Sequence, residues 1–206
     1  MRTVHLAVYD TLSDWEPGHL IAEINAGQWG RDHQWQVRTV GETREPVTTM
    51  GGITIVPDLS LDDVDPRDSG STEMLVLSGS GRWDQGLDAA FADKARDFLA
   101  AGVPVAAICG ATYGLATAGL LDGRAHTSNA REYLASSGYA GGDRYVDEAA
   151  VTDGDLVTGS GVQPVAFAAH ALRRLGVYRD DVLTAWQGLY ETGESRYFYD
   201  LMAAAG

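Results

Sequence analysis

The chain has 206 residues, with 29 acidic against 15 basic side chains, a formal net charge of −14 and one cysteine. That balance opposes a nucleic-acid partner, because a phosphate backbone needs a basic face and no Lys/Arg cluster supplies one. One cysteine cannot form an internal disulfide, and no apolar run approaches the ~20 residues of a membrane helix. The length suits a single α/β domain over residues 1–206, able to bury roughly 70% of the surface its unfolded chain exposes.

In chain order, "TVHLAVYD" (3–10) reads as a strand, followed by a helical pattern from Trp15 to about Trp29. The opening "MRTVHLAVYD" lacks the apolar core and cleavage site of a secretory signal; with the lone thiol, this leads to an expected cytoplasmic location. "HQWQVRTVG" (33–41) alternates as a strand does, and "GGITIVPD" (51–58) is a further β-branched run. The acidic "LSLDDVDPRDSGST" (59–72) reads as a surface loop or short crossover, and "EMLVLSG" (73–79) as a strand buried on both faces. A helix from about Asp84 to Ala101 ends at Gly102, and "PVAAIC" (104–109) then gives a second buried strand before the helical "ATYGLATAGLL". "DEAAVTDGDLVTGSG" (147–161) carries a type I′ hairpin signal at Asp153-Gly154. A helix over 164–176 and a helical tail from about Asp180 to Ala205 close the chain. The alternation predicts an open, mostly parallel sheet with helices on both faces, a late antiparallel hairpin and a helical C-terminal tail.

Cys109 falls where a buried strand gives way to a helix, the edge at which open α/β sheets gather their chemistry. Gly110 lets the backbone turn sharply and leaves an N–H free for a reacting oxygen, as in a nucleophile elbow. The positive end of the following helix is expected to lower the thiol pKa. The bland alternative is a cysteine packed as a small hydrophobe. No His-x-x-x-His or Cys-x-x-Cys spacing suggests a metal, no phosphate-cradling loop is present, and no cofactor is expected.

Four segments, in the same order along the chain, resemble the DJ-1/PfpI family of the class I glutamine amidotransferase-like fold, which implies a flavodoxin-like sheet. "VYDTLSDWEPGHL" resembles its first strand and helix, and "LVLSGSGRW" its "PGG" loop. "AAICGATYGLATAGLLDGRAHTSN" resembles its elbow, and "VTDGDLVTGSG" its late hairpin. "GLYETGESRYFYDLM" further resembles the tail of a bacterial subgroup labelled type 1 glutamine amidotransferase-like or intracellular protease/amidase-like. The resemblance implies that Glu16 is an acidic partner of Cys109, its raised pKa letting a protonated carboxyl donate to the sulfur. Read alone, Glu16 equally suits a helix N-terminal acid, and Asp14 an N-cap.

The family's oxyanion donors map to Ser80, with Gly79 beside it, and Gly110; here Ser78 replaces the proline and Ser80 the second glycine of "PGG". Gly110 stands where proteolytic members keep a histidine, leaving His126 as the histidine candidate among His5, His19, His33, His126 and His170. In "HTSN", strand alternation would place His126 and Ser128 on one face, Thr127 and Asn129 on the other. "GSGVQP" lacks the His-x-Glu of true glutaminases, so glutamine hydrolysis is not expected. The resemblance implies a stress-related homodimer acting on a small molecule: an amide, an α-oxoaldehyde or an isonitrile. The alternatives are an oxidation sensor at Cys109, or a binding module that has lost its chemistry.

Overall fold

The computed structural model describes residues 1–29, 34–67 and 72–205. Its strands are β1 (Arg2–Ala7), β2 (Trp35–Gly41), β3 (Val47–Thr48), β4 (Thr54–Ile55), β5 (Leu59–Ser60), β6 (Thr72–Leu77), β7 (Val105–Ile108), β8 (Ala150–Asp153) and β9 (Leu156–Gly159). Its helices are α1 (Gly18–Ala26), α2 (Ala89–Ala100), α3 (Gly110–Thr117), α4 (Arg131–Ala135), α5 (Pro164–Leu175), α6 (Asp180–Thr192) and α7 (Ser195–Ala205). Seven strands form one sheet in the order β5-β2-β1-β6-β7-β9-β8, parallel except for the antiparallel β8. β3 and β4 pair separately as a small antiparallel hairpin.

The central strands are apolar on both faces because both faces are covered: Met74 to Leu77 and Val105 to Ile108 are at most 1% exposed. From β1 the chain moves to one side, to β2; from β6 it moves to the other, to β7. Right-handed crossovers then put α1 and α2 on opposite faces. α5 packs beside α1, and α3 beside α2. Phe91 and Phe98 of α2 and Phe167 of α5 are fully buried, each contributing about 1.5–3 kcal/mol over an exposed position. The reversal of strand order between β1 and β6 opens a crevice at their carboxyl ends. The loops leaving it, 8–17 and 78–82, carry Glu16 and the Gly79–Ser80 pair.

Several elements differ from the sequence reading. The first helix is Gly18–Ala26, because residues 14–17 form a turn, with the Glu16 N–H on Ser13 O at 3.2 Å. Of "GGITIVPD" only Thr54–Ile55 is strand, with Ile53 and Val56 exposed; that run does not join the main sheet. The acidic loop contains an edge strand, β5, followed by a single 3-10 turn that Ser60 and Asp63 cap reciprocally. Between β6 and α2 lies another 3-10 turn, Trp83–Gln85, so the long helix starts at Ala89. The late hairpin turns on Gly154 and Asp155, since Asp153 pairs with Leu156. Only Gly154 has positive φ, so the turn is not type I′, which needs two such residues. "HTSN" is not a strand; His126 makes one isolated bridge, to Tyr145. The tail is two helices, because Gly193 takes a left-handed conformation (φ 69) between them. α4 had no counterpart in the sequence reading.

Candidate active site

Cys109 has φ 59 and ψ −126, and Thr11 (φ 60) is the other described non-glycine residue at positive φ. Such backbone costs about 1–3 kcal/mol per residue and persists only when its surroundings enforce it. For Cys109 they do. Its N–H completes the last rung to Gly159 O at 3.0 Å, and its carbonyl accepts the Thr112 N–H at 3.1 Å and the Thr112 hydroxyl at 2.5 Å. The chain therefore leaves β7 and enters α3 within one residue, and the half-buried thiol stands at the turn. Glycine is required on both sides: a Cβ on Gly79 or Gly161 would lie 2.9 or 2.8 Å from the Cys109 sulfur.

Glu16 is fully buried. Its Oε2 accepts the Gly79 N–H at 2.5 Å, while Oε1 has no well-formed hydrogen bond and lies against the Cys109 thiol. Burial pushes the carboxyl up to about 7, against the Gly79 N–H, the thiol and the Ser13 side chain, which favour its ionised form. The thiol is pushed up to about 11, first by burial and then by the neighbouring Glu16 charge. This reverses the expectation of a thiol lowered by the helix N-terminus. The Asn129 side chain and the Gly110 N–H do stabilise the thiolate, but desolvation and a carboxylate outweigh them.

The structure divides the remaining expected residues. Gly79 does not offer an oxyanion donor, because its N–H is committed to Glu16. The Ser80 N–H has no acceptor among the described residues and lies 3.5 Å from where a Cβ on Gly110 would stand. The Gly110 N–H favours the thiolate form of Cys109. His126 is not brought to Cys109: its Nδ1 meets Arg124 O at 2.8 Å and its Nε2 meets the Tyr139 hydroxyl at 2.9 Å. Both ring nitrogens of the fully buried His126 are thus used, and its ring packs edge-on against Tyr139 and Tyr145. Asp14 caps no helix; its carboxylate holds the Gly51 N–H at 2.6 Å. His5 is buried in β1 and His170 bonds Thr152, while His33 lies outside the described residues. Trp83 is buried, its indole N–H donating to Ser78 O at 2.9 Å. Among the described residues, no group of three or more His, Cys, Asp or Glu could hold a metal ion.

Asn129, not His126, is the side chain that reaches the thiol from the "HTSN" segment. Its Nδ2 donates to the Cys109 sulfur at 3.2 Å, and its Oδ1 accepts the Gly161 N–H at 2.8 Å. Gly161 O in turn accepts the Trp15 indole N–H at 3.0 Å, tying the loop before α1 to the elbow. Ser128, beside Asn129, bonds Thr112 in the first turn of α3 at 2.6 Å.

A thiol at positive φ on a strand-to-helix elbow, facing a buried carboxyl at the carboxyl edge of a parallel sheet, defines a nucleophile-elbow α/β protein. The comparisons place it within that class: the chain belongs to the DJ-1/PfpI family, whose signature matches residues 2–174. It is 41% identical over 205 residues to a Bacillus subtilis (strain 168) protein named uncharacterized protease YoaZ, covering 98% of this chain and 96% of that one. It is similar to the crystal structure of a ThiJ/PfpI family protein from Bacillus anthracis, with a TM-score of 0.90 and 39% identity over 100% of this chain and 98% of that one. The DJ-1 superfamily protein Atu0886 from Agrobacterium tumefaciens gives a TM-score of 0.82 at 31% identity, over 94% of this chain and all of that one. No helix among the described residues is long and apolar enough to cross a membrane.

Proposed function

We propose that the protein is a cysteine-dependent hydrolase or hydratase acting on a small electrophilic carbon, with Cys109 as nucleophile and Glu16 as its proton acceptor. One observation carries this reading: a buried carboxylate oxygen, Glu16 Oε1, is left without a well-formed hydrogen bond and set against a thiol held on a strained elbow. With the carboxyl near 7 and the thiol near 11, the resting proton sits on sulfur above neutral pH. As the sulfur attacks a carbonyl carbon, the S–C bond forms and the S–H proton passes to Glu16 Oε1. The carbonyl π pair moves onto oxygen, beside the Ser80 N–H. For an amide, collapse breaks the C–N bond, Glu16 returns the proton to the departing nitrogen, and water releases the thioester. For an α-oxoaldehyde the same addition gives a hemithioacetal, whose C–H proton shifts to the neighbouring carbonyl to leave a thioester that water releases as the hydroxy acid. For an isonitrile, sulfur adds to the terminal carbon, that carbon takes up the thiol proton from Glu16, and water releases the thioimidate as a formamide with the thiol restored. The name of the Bacillus subtilis relative supports hydrolytic chemistry.

The test is a turnover panel of methylglyoxal, small aliphatic amides and an isonitrile, run with wild type and Cys109→Ser. The reading expects turnover of at least one class, lost in Cys109→Ser and retained in His126→Asn. No turnover, together with selective gain of two oxygens at Cys109 under mild peroxide, would replace it with an oxidation sensor.

A further inference from the structure

The loop 79–82 is held at almost every backbone group. Gly79 donates to Glu16, Gly81 donates to the Thr11 hydroxyl at 3.0 Å, and Arg82 donates to Ser80 Oγ at 3.1 Å. The Gly79 carbonyl accepts the Ser13 N–H at 2.9 Å, and the Gly81 carbonyl accepts the Gln85 side chain. Within this stretch the Ser80 N–H alone finds no acceptor among the described residues. The Ser80 side chain is anchored: its hydroxyl donates to Asp88 Oδ2 at 2.7 Å, and Asp88 Oδ1 takes Arg82 Nε at 2.8 Å. Asp88 is 1% exposed, so a carboxylate has been desolvated to hold one serine and one arginine, which its position ahead of α2 does not require. Thr11, which pins Gly81, is a β-branched residue at positive φ, a conformation that such residues almost never adopt.

We propose that Asp88 and Arg82, acting through the Ser80 side chain, are positioning residues that aim the Ser80 N–H at the oxyanion formed when Cys109 adds to a carbonyl. This rests on the proposed reading of Cys109 as a nucleophile toward electrophilic carbon. It assigns a task to the serine found where the family's loop keeps glycine: the hydroxyl supplies an anchor that a glycine lacks. Sulfur gives its electron pair to the carbonyl carbon, the π pair moves to oxygen, and the thiol proton ends on Glu16.

The experiment compares two reactions of the same thiol. Propionaldehyde forms a reversible hemithioacetal through an oxyanion; iodoacetamide alkylates by displacing iodide, with no oxyanion. Protection of Cys109 from iodoacetamide by increasing propionaldehyde gives the aldehyde affinity, and the rate without aldehyde gives the reactivity of the thiol. Ser80→Ala is expected to weaken the aldehyde adduct about tenfold, below the roughly 100-fold cost of deleting a donor outright. Asp88→Asn is expected to weaken it severalfold, and Ser80→Thr to restore it, all with alkylation rates near wild type. Either folded variant suffices. Equal aldehyde affinity in wild type, Ser80→Ala and Asp88→Asn overturns the positioning role alone. Wild-type protein that alkylates but forms no aldehyde adduct overturns the carbonyl-addition reading beneath it.

Discussion

Asn129 and Cys109 lie 20 residues apart in sequence, yet the Asn129 amide donates to the Cys109 sulfur at 3.2 Å. The amide's other end is fixed by the Gly161 N–H, so it cannot turn away without breaking a second bond. A neutral donor held in this way lowers the thiol pKa without itself titrating. Replacing Asn129 with Leu removes a hydrogen bond to the charged form, worth about 1.5–3 kcal/mol. Alkylation of Cys109 at pH 8 should therefore slow by roughly tenfold or more, measured as iodoacetamide labelling of folded protein.

Gly161→Ala should damage the elbow directly. The new Cβ would stand 2.8 Å from the Cys109 sulfur and 3.0 Å from Glu16 Oε1, so one of the pair must move. Overpacking of this kind costs about 1–3 kcal/mol. Denaturant unfolding should show that loss together with slower labelling of Cys109. Gly123→Ala, with no heavy atom within 4 Å of its new methyl, should change neither.

His126 should matter for stability and not for the thiol. His126→Leu strands the partners of both ring nitrogens, Arg124 O and the Tyr139 hydroxyl. A loss of about 1–3 kcal/mol is expected, read by urea unfolding, with Cys109 labelling unchanged. Slower labelling in a fully folded variant would return the histidine to the site.

The raised Glu16 pKa has a consequence for stability. Folded, the carboxyl holds its proton up to about 7, whereas its ordinary value is 4.5. Its contribution to stability is complete below pH 4.5 and falls away as pH rises to about 7. The full swing is at most about 3 kcal/mol. His5 acts in the opposite sense. Burial lowers it from 6.5 to about 4, so its penalty lifts as pH rises through that range. The difference between wild type and Glu16→Gln cancels His5: the stability of Glu16→Gln relative to wild type should rise between pH 4.5 and 7. A constant difference would contradict the raised carboxyl.

The sheet was legible in the sequence because its signals are local. "EMLVLSG" and "PVAAIC" are short apolar runs bounded by glycine and proline, and they became the central strands β6 and β7. Cys109 was legible for the same reason, at a strand end followed by glycine. "HTSN" failed because its conformation is set by long-range bonds: Thr127 N–H goes to the Thr158 hydroxyl and Asn129 to Gly161. Strand alternation did not apply there, so nothing local separated Asn129 from His126. Asp88 was missed because its partner Ser80 is joined to it across a 3-10 turn that read as helix. The thiol pKa was misjudged because the helix N-terminus is visible in sequence, whereas the depth of burial and the Glu16 charge beside it are not.

The pairing of Cys109 with Glu16 is tested most directly by the pH profile of Cys109 alkylation in wild type and Glu16→Gln. Wild-type labelling should climb slowly toward an alkaline midpoint, because the thiol is pushed up to about 11 by burial and by the ionised carboxyl. Glu16→Gln removes that charge and should shift the profile to lower pH, labelling faster at pH 8 while losing turnover for want of a proton acceptor. Superimposable profiles with equal turnover would contradict the pairing.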